Sequence, residues 1–130
     1  MIKPRLSKLR QRLQAIQAEM GKLLPAFLGR EPLLPAYLSY RPRMCGNPGC
    51  RCAKGQRHAA WIVQFTAGGR SHCRSVSKGK YEALAIPAEA YRRFRSARAR
   101  WNRLAKEANT VLKEIEQCRR LDARSALERP

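Results

Sequence analysis

The chain has 130 residues, and 28 Lys+Arg against 9 Asp+Glu set its formal net charge at +19. That length suits one domain of roughly 100–150 residues, and nine acids with two histidines leave little material for general acid–base chemistry, which argues against an enzyme. With 44% hydrophobic residues this is no disordered basic tail, and a surplus so large points to a polyanionic partner.

Leu6, Leu9, Leu13, Ile16, Met20 and Leu23 step by three and four along a heptad seam, which predicts a helix over 4–24. Pro25 should end it, because proline lacks the N–H that the helix needs. Leu23–Leu38 contains two similar pieces, Leu23–Leu28 (LLPAFL) and Leu33–Leu38 (LLPAYL), and its residues 25–36 read as an apolar linker. Charges and prolines interrupt this region, so no stretch reaches the ~20 apolar residues of a membrane span. The basic start leads into the amphipathic seam and not into an apolar export signal. The expectation is a cytoplasmic protein without membrane association.

Residues 37–78 read as a small antiparallel module. Trp61–Thr66 is rich in β-branched and aromatic residues, Ala67–Arg70 supplies turn chemistry, and Ser71–Ser77 can return as the partner strand. Tyr37–Met44 can add a third strand at the edge, where Pro42 is tolerated. Lys80–Ile86 suits a short helical turn, and Pro87 the first position of a long helix over 87–121. Phe94, Ala97, Trp101, Leu104, Ala108, Val111, Ile115 and Cys118 form its seam, and 122–130 reads as a tail. At 1.5 Å per residue the second helix should span ~50 Å against ~30 Å for the first. The excess seam should be covered by the linker or by a second copy of the chain, giving a homo-oligomer. The fold expected is thus α+β: a helical hairpin of coiled-coil-type helices with a zinc-stabilised hairpin or three-stranded sheet between them.

The zinc expectation rests on Cys45, Cys50, Cys52 and His58, spaced C-x4-C-x-C-x5-H. Three thiols and one imidazole match the four tetrahedral ligands that Zn²⁺ takes in closed structural sites. Gly46, Pro48, Gly49 and Gly55 provide the turns needed to wrap one loop around an ion. Three of the five cysteines lie within eight residues, an arrangement that favours metal over disulfides. His72 or Cys73 can replace one of these ligands on sequence grounds. Cys118 falls on the apolar seam and reads as a core residue.

The segment CGNPGCRCAKGQRH, its aromatic strand, Gly-Gly turn and YRRF-containing helix resemble an uncharacterised family of small bacterial proteins with the pattern C-G-x-P-x-C-x-C-x-x-G-x-x-H-G-P. The similarity runs from about Tyr37 to Trp101, and Ala59-Ala60 stand here where the family pattern has Gly-Pro. The resemblance implies a bacterial or phage source and a mobile-element setting, with no established activity.

Cations concentrate in two blocks. Residues 45–80 hold seven Lys+Arg (Arg51, Lys54, Arg57, Arg70, Arg74, Lys78 and Lys80) and no acid. Residues 92–106 hold seven more and again no acid, with Arg92, Arg93, Arg95, Arg98 and Arg100 off the seam. Charge runs are usually solvated faces, but solvated faces normally mix signs. The expected function is therefore a non-catalytic, nucleic-acid-binding zinc protein, with DNA ahead of RNA; the mobile-element setting that the resemblance implies adds the role of accessory factor to a recombinase or transposase. A coiled-coil adaptor with the zinc hairpin as recognition head, and an RNA-binding protein, are the alternatives.

Overall fold

A computed structural model describes residues 4–43, 49 and 58–129. In chain order these form helix α1 (Pro4–Leu28), strands β1 (Ala36–Arg43), β2 (His58–Ala67) and β3 (Arg70–Val76), helix α2 (Lys78–Arg119) and the short helix α3 (Ala123–Glu128). The fold is α+β, a helix and a three-stranded antiparallel sheet followed by a long helix. The chain divides into two compact units. One takes the chain through Gly29 together with everything from Ser96; the other is Arg30–Arg95. None of the helices in the described residues is long and apolar enough to cross a membrane.

The first unit is a helical hairpin built on the two heptad seams. Ile16, Leu104 and Val111 are buried at its centre, flanked by Leu9, Leu13, Met20, Leu23, Ala108 and Ile115. Three ion pairs run along the hairpin: Arg5–Glu114 at 3.8 Å, Arg12–Glu107, and Glu19–Arg100 at 2.9 Å. Each step of seven up α1 answers a step of seven down α2, so the pairs mark one antiparallel register. All are half-exposed and each contributes only ~0–1 kcal/mol. Their larger effect is on specificity, since flanking charges in coiled coils select orientation and register.

The sequence predicts that α1 stops before Pro25, yet it continues to Leu28 with Pro25 inside. An interior proline costs about 3 kcal/mol in helix propensity. Here the last turn carries Phe27, whose ring meets Trp101 edge-on at 5.6 Å, and continued burial of the seam offsets that cost. The related hexapeptide at 33–38 takes the opposite course. Leu33–Pro35 is non-helical, and Ala36-Tyr37-Leu38 enters β1, so the linker shrinks to residues 29–35.

The second unit holds the sheet, ordered β1-β2-β3. A two-residue turn joins β2 to β3, with Gly68 and Gly69 at φ of 58° and 76°. Positive φ at both positions is the type I′ requirement, which matches the twist of the flanking strands and which glycine meets without strain. Ile62 and Val63 are neighbours on the central strand, point to opposite faces and are both buried, at 1% and 6% exposure. The sheet is therefore covered on both sides at its middle. Tyr40, Trp61 and Tyr81 form an aromatic row with centroid spacings of 4.4 and 4.9 Å, tying β1 and β2 to the first turn of α2.

That first turn corrects the expected start at Pro87. The helical turn over 80–86 and the long helix are one element beginning at Lys78. Ser77 caps it: Lys80 N–H donates to Ser77 Oγ at 3.2 Å, and Tyr81 N–H to the Ser77 carbonyl at 2.9 Å. Pro87 lies inside the helix, and its carbonyl accepts from Leu34 N–H at 3.0 Å. The cap and the Trp61–Tyr81 contact stabilise the nine residues, 78–86, that a start at Pro87 would have excluded.

At the other end α2 stops at Arg119 and not at Leu121, and the expected tail contains α3. Asp122 caps α3 by accepting from Ser125 Oγ at 2.8 Å and Ser125 N–H at 3.3 Å. The Ser125 hydroxyl, then its amide, hold the Asp122 pKa below the ordinary carboxylate value. A depressed folded pKa means that the cap is present above the unfolded value and is lost as pH falls through the folded one.

The hairpin core makes a direct prediction. Leu104→Ala should lower unfolding stability by about 2–5 kcal/mol, because Leu104 is 1% exposed and its removal opens a cavity. Leu127→Ala, at an 86% exposed site, should change it by less than about 0.5 kcal/mol. Denaturant titration followed by helical circular dichroism distinguishes the two; equal effects would contradict the core described.

Candidate nucleic-acid interface

Cys45, Cys50 and Cys52 lie outside the described residues, as does the side chain of His58. Among the described residues no group of three or more His, Cys, Asp or Glu is placed to hold a metal. The backbone framing of the loop is nonetheless defined. Arg43, two residues before Cys45, pairs with His58 across the β1–β2 ladder, so the segment between them begins and ends on adjacent strands. His72 and Cys73 occupy the other end of the sheet. His72 pairs with Phe65, seven residues along β2 from His58, or roughly 23 Å at strand rise. The His72 ring stacks on Phe65 (5.0 Å, 16° between planes), with Nε2 3.3 Å from the Ala67 carbonyl. Cys73 is a free, exposed thiol, and Cys118 is half-buried in the hairpin.

The cations separate into two groups once their partners are known. Arg51, Lys54 and Arg57 lie outside the described residues. Arg92 pairs with Glu89 at 3.4 Å, Arg93 with Glu31 at 3.2 Å and Arg100 with Glu19 at 2.9 Å. Distant acids thus reach the stretch of α2 that reads as purely cationic in sequence. Arg98 also has a partner. By contrast, Arg70, Arg74, Lys78, Lys80 and Arg95 are exposed and have no ion-pair partner among the described residues. Arg74 lies 5.9 Å over the Phe65 ring, a cation–π arrangement that holds its guanidinium at the sheet surface.

These free cations all belong to Arg30–Arg95, which contains 13 Lys+Arg and 3 Asp+Glu; the remainder of the chain contains 15 and 6. Arg41, exposed on β1, adds to them, although its neighbourhood in sequence gives it no distinction. Two further aromatics of this unit, Trp61 and Tyr40, are engaged with each other, and Trp61 also with Tyr81, so neither is a free base-stacking surface.

Sequence reasoning missed a groove in the same unit. It has a volume of about 650 Å³ and is walled by the start of β1, the β2–β3 hairpin and α2, with Tyr37, Gln64, Phe65, Tyr91, Arg92 and Arg95 among its lining. Tyr37, Gln64 and Cys73 stand in one cross-strand row, which only the register reveals.

Residues 4–85 match a domain of unknown function, DUF6788. The match takes in α1, the sheet and the first turns of α2, and stops short of the YRRF segment at 91–94. The chain has no match among curated proteins or among solved structures. With more than half of its length matched, the chain belongs to the DUF6788 family.

Proposed function

We propose that this protein is a non-catalytic nucleic-acid-binding zinc protein, acting on DNA as an accessory factor to a bacterial recombinase or transposase. The observation that carries this reading is the set of exposed cations in Arg30–Arg95 that have no acid beside them, in a unit with 13 cations and 3 acids. Such a surface gains free energy by releasing the counterions condensed on a phosphate backbone, without reading base sequence. The mobile-element setting and the accessory role are inferred from the family resemblance.

Zn²⁺ on Cys45, Cys50, Cys52 and His58 would complete the module. The four residue types suit a closed tetrahedral site, and the Arg43–His58 pairing ties both ends of the loop to one ladder. A bound ion would hold Arg51, Lys54 and Arg57 on a fixed scaffold beside the sheet cations. Its role would be structural, since four protein ligands leave no open position for a substrate. An adaptor that docks a partner helix would need an uncovered length of seam on the longer helix. Ser96–Arg119, 24 residues of α2, accompany the 25 of α1 in one unit, so charge is the stronger guide than an uncovered seam.

Two measurements test this proposal. The purified chain should contain about one zinc, and chelation should disperse or collapse the amide signals of 37–77 while most helical ellipticity survives. An unchanged amide spectrum after metal removal would contradict the zinc assignment. Binding to duplex DNA should weaken steeply with salt, and the combined substitution Arg70→Ala, Arg74→Ala, Lys80→Ala should flatten the log–log slope by about 2–3. Salt-independent binding, or no binding to DNA or RNA at low salt, would refute the function.

A further inference from the structure

The groove in Arg30–Arg95 combines chemistries that a phosphate-binding surface alone leaves unused. Tyr37 and Tyr91 present aromatic faces, Gln64 presents an amide donor and acceptor, and Arg92 and Arg95 lie one turn apart on α2. Phe65 is already engaged by His72 and Arg74, so the two tyrosines are the faces left for stacking. Tyr37 is 58% exposed. The volume of about 650 Å³ falls in the range of small-ligand sites. A duplex keeps its bases stacked and paired, so none of its bases enters such a concavity without being flipped out. An unpaired nucleotide offers a π face for the tyrosines, a Watson–Crick edge for Gln64 and a phosphate for the arginines.

Charge complementarity supports this occupant. Arg95 has no ion-pair partner among the described residues. Arg92 holds Glu89 in an exposed i,i+3 pair, a contact weak enough for a phosphate to displace. Ser71, His72 and Cys73 of β3 line the groove, and Arg74 lies over Phe65, itself a lining residue, so positive charge adjoins the groove on the face of β3 that carries His72.

We propose that this groove seats one unpaired nucleotide of a single-stranded nucleic acid, with its base against Tyr37 and Tyr91 and its phosphate on Arg92 and Arg95. The inference rests on the nucleic-acid reading above and narrows it to strands, ends or junctions that expose an unpaired base.

The test uses the full chain with its metal content measured. Fluorescence anisotropy compares a labelled oligothymidine of about ten nucleotides with a blunt duplex. Arg95→Gln keeps helix propensity at an exposed site. It should weaken single-strand binding roughly tenfold and duplex binding only about twofold. Arg103→Gln, at an exposed α2 site outside the groove, should affect both probes alike. Oligothymidine should also slow alkylation of exposed Cys73 by iodoacetamide several-fold, read by peptide mass, without slowing that of Cys118. Equal losses for Arg95→Gln and Arg103→Gln on the single strand, with Cys73 unprotected, would overturn the groove assignment while leaving nucleic-acid binding intact. Failure of both probes to bind at low salt would overturn both.

Discussion

Nine carboxylates face twenty-eight cations in this chain, and their placement decides which surface remains positive. Three of them, Glu19, Glu107 and Glu114, lie at heptad intervals along the helical hairpin, each against an arginine of the opposite helix. Asp122 is held in the cap of α3. Only Glu31, Glu82 and Glu89 fall within Arg30–Arg95, and two of those are paired with Arg93 and Arg92. The hairpin therefore has three compensated pairs flanking its apolar seam beside exposed cations such as Arg10, Lys22 and Arg103 that join no ion pair among the described residues, whereas the sheet unit has 13 cations to only 3 acids. Unscreened like charges on one small unit oppose its folding. A polyanion would relieve that repulsion on binding, which links the stability of this unit to the function proposed for it.

The sheet that displays these cations depends on its central strand. β2 carries both ladders, and its adjacent Ile62 and Val63 fill opposite faces. Trp61 connects the strand to Tyr40 on one neighbour and Tyr81 at the start of α2. Arg74 rides on Phe65, and Lys78 and Lys80 occupy the helical turn that Ser77 caps. The contact with Phe65 thus holds the Arg74 guanidinium at the sheet surface, and the Ser77 cap sets the backbone that carries Lys78 and Lys80.

Much of this architecture is legible in the order of residues, for physical reasons that differ by element. The heptad seams announce the hairpin because helical periodicity is a local signal, and Gly68-Gly69 announces the turn because few other residues tolerate two positive φ values. The helix limits are less legible. Pro25 and Pro87 carry a strong local penalty, which Phe27 packing and the Ser77 cap override through contacts or neighbours that a proline rule ignores. Leu23–Leu28 and Leu33–Leu38 show the same limit, since nearly identical hexapeptides end a helix and begin a strand. The charge pairs are long-range: Glu19 lies 81 residues from Arg100, and Glu31 lies 62 from Arg93. A run that reads as uncompensated is partly neutralised by them. The groove was invisible for the same reason, being assembled from segments of β1, β2, β3 and α2. The cysteine–histidine loop remains a reading of spacing and ligand chemistry.

The central claim is that the unpaired cations of Arg30–Arg95, and not those of the hairpin, meet the nucleic acid. Amide chemical-shift mapping of the full chain against a short oligonucleotide tests it most directly, because one spectrum reports both units. The account predicts that perturbations concentrate at Arg70–Lys80 and around Arg95, with α1 and residues 100–119 of α2 little changed. Perturbations centred on the hairpin, or spread evenly over cations of both units, would contradict it.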